Sequence, residues 1–440
     1  MHVLNKIQSD VRQHEPELIA QTNAFLFLYI CAFTTLQAPA SNNVYCNIIA
    51  VVFMLLAGIY CLVDSSGIIS PFSVSFAVFT AYVFLSILWS PVKAETTTTA
   101  VTLSRLLVLG TLMYNYLDTR RKKEYLLSAF VVAGITVSLV TLYYYGPRNY
   151  FKDLSLGIRM GSELYAINYV AFLLVIASLV SIWFVLFRKR WWDVFPAVLC
   201  LFISLGTGSR ASVLAFCVGA LVIVFFRNRG IWRIVAPVIL IGLFYLGYKL
   251  LELPVFGVLH DRLVSSFAVF KDADMTDTST AVRIDMIKWG LQQFAKTPVF
   301  GMGFSAGGVV MAKHGCELGL YHNTYIEMLA GGGIVGFCLY FFMFFYPLAK
   351  LVKPAIDGDD TAIAAVILLI TYLVLLVFGS EYFEQATPGC LSPRKRGSRM
   401  NPTPLRPWRS ADVSATPARG PSRYTAGSCG ISIPDRCSGK

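Results

Sequence analysis

The sequence predicts an all-helical protein that crosses a membrane many times, and three observations lead there. Only 14% of its 440 residues are charged and 56% are hydrophobic, with a mean hydropathy of +0.62; a soluble domain is about one quarter charged. Apolar runs of about 20 residues, the length a helix needs to cross a bilayer core, recur along the chain. The runs lack the alternation of a membrane barrel, and within lipid a backbone must satisfy its own polar groups, so the runs are helices.

Taken in order, hydropathy predicts eleven spans, near 24–40, 45–63, 68–89, 99–117, 125–145, 164–187, 193–209, 211–226, 231–250, 323–346 and 361–379. Residues 1–23 are polar and carry no cleavable signal pattern, so they read as a cytoplasmic N-terminus before an uncleaved span. Residues 24–155 form an N-terminal block of spans, and 351–385 hold the last one. The 193–209 and 211–226 spans touch at Ser209-Arg210 and predict a tight helical hairpin.

Four short basic loops set the orientation: "DTRRKKE" (118–124), "RKRWW" (188–192), "RNRG" (227–230) and "KLVK" (350–353). All fall on one side if eleven spans alternate, and the positive-inside rule makes that side cytoplasmic. The opposite side then holds one long connection, 251–321, and a shorter one, 146–163.

The net charge of +12 is mostly a property of the end of the chain. Residues 386–440 contain ten Lys/Arg against two Asp, and 8 of the 19 prolines, with no apolar span. The basic balance is therefore no sign of nucleic-acid binding. This stretch follows "EYFEQ" abruptly and reads as a reading-frame change or fusion replacing a final span, or else as a disordered extension. Of ten cysteines, Cys31, Cys46, Cys61, Cys200, Cys217 and Cys338 lie in or beside apolar runs, three lie after 386, and only Cys316 falls in a sizeable polar loop. That distribution gives neither a disulfide framework nor a metal-ligand spacing.

Four polar features share the non-cytoplasmic side. "GIRMGSELYAINY" (157–169) places Arg159 before a span and Asn168 just inside it. "GTGSRAS" (206–212) puts Arg210 at the tip of the hairpin. "STAVRIDMIKWGLQQFAKTPVFGMGF" (279–304) repeats Ile284, Ile287, Leu291 and Phe294 at helical spacing, with Ser279 or Thr280 able to cap it and Lys296-Thr297-Pro298 ending it. It reads as an amphipathic helix on the membrane surface. Arg283 falls in its first turn, where the helix dipole disfavours a cation. "YHNTYIEMLAGGGIVGF" (321–337) opens a span with His322 and Asn323.

Singly, each feature has a plain explanation. An arginine at a span end anchors by snorkelling, Thr324 and Glu327 form a T-x-x-E capping box or Asn323 and Glu327 pair at i, i+4, and "GGG" permits close helix contact or leaves room for a polyprenyl chain. Together, three arginines and a histidine on the face that short-loop charge disfavours call for an anionic partner. No acidic cluster could serve them all, because Asp272, Asp274 and Asp277 lie in a solvated-looking loop. A lipid-borne phosphate or diphosphate fits guanidinium forks. Gly301, Gly303, Gly307 and Gly308 suggest a flexible approach for such a lipid.

"SRAS" after a span, the run from Arg283 through "P.FG.GF" to Phe304, and "HNTYIEMLAGGGIVGF" resemble the O-antigen ligase and polymerase superfamily of bacterial envelope glycan enzymes. The similarity is strongest over about 155–350. It implies a GT-C-like helical fold with a large periplasmic loop, a family total of twelve spans, and a bacterial inner-membrane location with the site facing the periplasm. It implies transfer of a glycan from undecaprenyl diphosphate to lipid A–core, a growing glycan or a protein hydroxyl, without a cofactor or required metal. By motif position Arg210 and Arg283 resemble the diphosphate-binding arginines and His322 the family's essential histidine, while Arg159 is similar to a basic residue before "N..A"; Asn168 and Asn323 join them as substrate-binding candidates. The family continues past a segment like "FGSEYFEQ" into another apolar stretch, which this chain lacks.

Overall fold

The computed structural model describes residues 15–35, 44–63, 69–155, 167–250, 278–313 and 321–379. Arg159, residues 251–277 and 314–320 of the 251–321 connection, Cys316 and the 386–440 segment lie outside the described residues. Every regular element described is a helix. In order they are α1 (Glu15–Thr35), α2 (Val44–Val63), α3 (Pro71–Ser86), α4 (Lys93–Tyr116), α5 (Arg120–Tyr145), the short α6 (Pro147–Ser155), α7 (Ile167–Arg188), α8 (Val194–Gly206), α9 (Arg210–Arg227), α10 (Trp232–Leu250), α11 (Thr278–Lys296), the short α12 (Ala306–Lys313), α13 (Thr324–Ile356) and α14 (Asp360–Leu375).

Among the described residues, each of the eleven expected apolar runs contains a helix. Five helices (α2, α5, α7, α9 and α13) are long and apolar enough to cross a membrane by length and composition, and α3, α8, α10 and α14 are apolar but shorter. Together they make a multi-pass membrane protein. Helix α1 begins at Glu15, well before the apolar run, because hydropathy does not register its polar first turns.

Packing closes a circuit. Helix α1 touches α2 and α5, α2 touches α4, α4 touches α3, α3 touches α13, α13 touches α14, and α14 returns through α7 to α5. Helix α8 packs along α7 and α5, and α9 packs on α14 and α7. The predicted hairpin keeps its tight turn at Thr207-Gly208-Ser209, but beyond their shared neighbour α7 the two helices part, α8 to α5 and α9 to α14. Helix α10 has α9 as its main partner and leaves Ile234, Val238 and Ile241 exposed, as a lipid-facing surface requires.

Ion pairing gathers the 118–124 and 188–192 loops at one end. Arg120 bonds Glu124 at 3.2 Å and Asp360 at 3.2 Å, Arg188 reaches Glu124 at 2.7 Å and also Asp360, and Arg190 pairs with Asp193 at 2.8 Å. Lys122 is buried there, 3.0 Å from Asp118 and 3.7 Å from the Tyr60 ring centroid. Trp191, Trp192 and Trp232 are exposed at the same end, where an aromatic belt meets lipid headgroups.

Candidate active site at the end opposite the basic loops

Helix α13 opens this end. Asn323 is its N-cap, its side-chain oxygen accepting from the Ile326 amide at 3.1 Å. This replaces the expected T-x-x-E capping box: Thr324 lies inside the helix rather than capping it, and Asn323 is the cap. The preceding residue, His322, has φ +49, a left-handed conformation that costs a non-glycine residue about 1–2 kcal/mol. Tyr321 is buried beside α11 and α12: a side chain at Gly290 would come within 2.9 Å of its ring, and one at Gly307 within 2.5 Å.

Helix α11 brings Arg283 to this turn. The face it turns to the protein is Met286, Gly290 and Gln293, all buried, with Arg283 half-buried on the same side at i, i+3, i+7 spacing. The expected apolar stripe is instead at least partly exposed, with Leu291 open, as a membrane surface would require. The helix starts at Thr278, so Arg283 lies in its second turn. Burial, reinforced by the Arg283 charge, lowers the His322 pKa to about 4; the imidazole is therefore neutral at neutral pH. Burial also raises the Tyr321 hydroxyl, helped by nearby Glu327.

Arg210 is the first residue of α9 and is half-buried. Its helix packs on α14, whose exit bonds the start of α13, so Arg210 and His322 share one end of the bundle. Ser209 caps α9 by position but not by hydrogen bond, and its hydroxyl is buried with no partner among the described residues. Asn168 is half-buried in the first turn of α7 at that end, below the Ser204 hydroxyl's bond to Ala171 (3.1 Å). The structure therefore brings Arg283 within electrostatic reach of His322, with Asn323 next to it in the chain, and leaves Arg210 and Asn168 on neighbouring helices. Among the described residues no three His, Cys, Asp or Glu side chains gather as a metal site.

The glycines have a specific use. At Gly333 (φ +62, ψ −165) α13 breaks, and the loop 298–304 docks into the break. Met302 and Gly303 amides donate to the Ala330 and Gly331 carbonyls, both at 2.9 Å, and the Ile334 amide donates to the Pro298 carbonyl at 2.9 Å. The Tyr82 hydroxyl closes the seam on the Gly332 carbonyl at 2.8 Å. Gly301 (φ +69) and Gly303 (φ +107) are buried against Gly331 and Ser90. The expected flexible approach is thus a clamped one, held also by Thr96 on the Phe304 carbonyl (2.8 Å). Sequence reasoning singled out the glycines but missed Tyr82, Ser90 and Thr96, because long-range backbone docking has no local signal.

No curated protein matches the chain. Residues 195–341 match the family described as O-antigen ligase. The match begins in α8 and ends inside α13, and so takes in Arg210, Arg283, the docked loop and His322. Over this core the chain is similar to the O-antigen ligase family.

Proposed function

We propose that the protein transfers a glycan from undecaprenyl diphosphate to a lipid A–core acceptor, at the periplasmic face of the bacterial inner membrane. The observation that carries this reading is the placement of Arg283 beside a neutral, half-buried His322 at the end away from the basic loops. Displacing a diphosphate from an anomeric carbon needs charge stabilisation on the leaving group and a group to receive the acceptor proton. Arg283 and Arg210 supply the first, acting on charge that grows in the transition state. The unpartnered Ser209 hydroxyl and the α9 N-terminus add donors beside Arg210. His322 supplies the second: a neutral imidazole can accept the hydroxyl proton as the new glycosidic bond forms and the diphosphate departs. Arg159, Asn168 and Asn323 are assigned to substrate binding. The chemistry needs neither a nucleotide sugar nor a metal ion.

Ligation is preferred over repeat-unit polymerisation, or transfer to a protein hydroxyl, because the one long outer connection comes late, just before His322. A transporter would use a broken helix to hold substrate near the midplane. The break at Gly333 is filled by the chain's own loop, which argues against that use. The test is purified protein given a lipid-linked repeat with either core lipid or a second repeat. Core product lost in His322→Ala supports the reading; repeat extension without core product refutes ligation.

A further inference from the structure

The turn carrying His322 is fastened to a part of the chain beyond the matched segment. The Thr324 amide donates to the Leu376 carbonyl at 2.9 Å, and its hydroxyl donates to the Gly379 carbonyl at 2.7 Å. The Tyr325 hydroxyl donates to the Leu373 carbonyl at 3.1 Å, its ring stacked on Phe341 at 4.4 Å. Thr324 is fully buried.

These bonds are not required to join α13 to α14. Further along, the two helices pack through rings, with Phe344 stacked on Tyr372 at 5.5 Å. The bonds to the carbonyls of Leu373, Leu376 and Gly379 lie at the mouth of α13, next to a backbone conformation that persists only where its surroundings over-determine it. On its other side His322 follows Tyr321, which is wedged against Gly290 and Gly307. His322 is thus held between a buried ring and a doubly bonded threonine.

We propose that the exit of α14, acting through Thr324, is a positioning strap that holds His322 in its left-handed conformation for transfer. The proposal rests on the reading of His322 as the group that receives the acceptor proton. Thr324 touches no reacting atom, so it is a positioning residue.

The test compares wild type, Thr324→Val and Thr324→Ser in lipid nanodiscs, with an undecaprenyl-diphosphate-linked repeat unit as donor and core lipid as acceptor. Thr324→Val keeps the side chain's shape and loses one bond. It is expected to lower kcat about tenfold with an unchanged donor KM, as misplacement of a reacting group does. Thr324→Ser keeps the hydroxyl and is expected to restore turnover. A residue that served folding alone would lower recovered protein without splitting kcat from KM. Diethyl pyrocarbonate, which modifies neutral imidazole, gives a readout without turnover: His322 labelling, followed by mass spectrometry, should accelerate in Thr324→Val and not in Thr324→Ser.

Wild-type kcat and labelling in Thr324→Val overturn the strap, as does failure of Thr324→Ser to restore them. If Thr324→Val is not recovered from membranes, Tyr325→Phe carries the test, since it removes only the bond to Leu373. Reduced kcat with faster labelling then supports the strap, and wild-type values overturn it. An active His322→Ala defeats the functional reading instead, so the two failures are distinguishable.

Discussion

His322 combines a left-handed backbone with an imidazole that resists protonation, and both follow from its neighbours. The pKa near 4 arises from burial first and from the Arg283 charge second. A lowered pKa keeps the base form present further into acid, so the acid limb of kcat/KM, which reports free enzyme, should lie well below the ordinary histidine value of about 6.5. Arg283→Gln removes the second cause only. Its limb should move up while staying below the ordinary value, measured as kcat/KM against pH; an unmoved limb would separate His322 from Arg283. An anionic donor bound at Arg283 should likewise shift the kcat limb above the kcat/KM limb. At this scale the sequence was legible for residue type and obscure for role. Arg283 stood out as a misplaced cation, and its position at i, i+3, i+7 with Met286 and Gly290 would have indicated its direction. Asn323 and Thr324 are both cap formers, and the choice between them depends on Leu376 and Gly379, more than fifty residues away.

At the scale of elements, the broken α13 sorts its three glycines into different tolerances. A side chain at Gly331 would meet its nearest neighbour at 3.5 Å, ordinary contact, whereas one at Gly332 would meet the Phe304 ring at 2.5 Å. At Gly333 the neighbour is the Val299 carbonyl oxygen at 2.3 Å, and the backbone is left-handed as well. Gly331→Ala should therefore be neutral or stabilising by up to about 1 kcal/mol, as alanine is in a helix. Gly333→Ala should cost about 3 kcal/mol or more, from strain together with displacement of the loop. Thermal unfolding in detergent, followed by tryptophan fluorescence, checks the order; equal losses at the two sites would contradict the docked loop. The helix itself was legible as an apolar run, but its break was not. A glycine triplet reads equally as close packing, and only the carbonyls of the 298–304 loop, arriving from another segment, decide the matter. Helix α11 shows the same limit, since its apolar stripe was visible while the face that meets the protein is Met286, Gly290 and Gln293.

Over the whole molecule, charge asymmetry organises the two ends. Two of the basic loops identified by hydropathy, 118–124 and 188–192, converge on one network, in which Arg188, Glu124, Arg120 and Asp360 tie α5, α7 and α14 together. Arg188 is its most buried member, so Arg188→Ala should destabilise the bundle by about 1.5–3 kcal/mol, the value of hydrogen bonds to charged groups, in the same unfolding assay. The other end carries His322, and Glu95 is exposed there, because Thr96 beside it bonds the Phe304 carbonyl of the docked loop. Trp192 marks the basic end and is 91% exposed. These two positions turn orientation into a labelling experiment. With an impermeant maleimide on spheroplasts, Glu95→Cys should label before lysis and Trp192→Cys only after it. The reverse pattern would place His322 on the cytoplasmic side, where a donor awaiting transfer at the periplasmic face could not reach it. Labelling of both before lysis would mean that the basic network and the His322 turn lie on one side of the membrane, which the antiparallel course of α13 and α14 between them forbids.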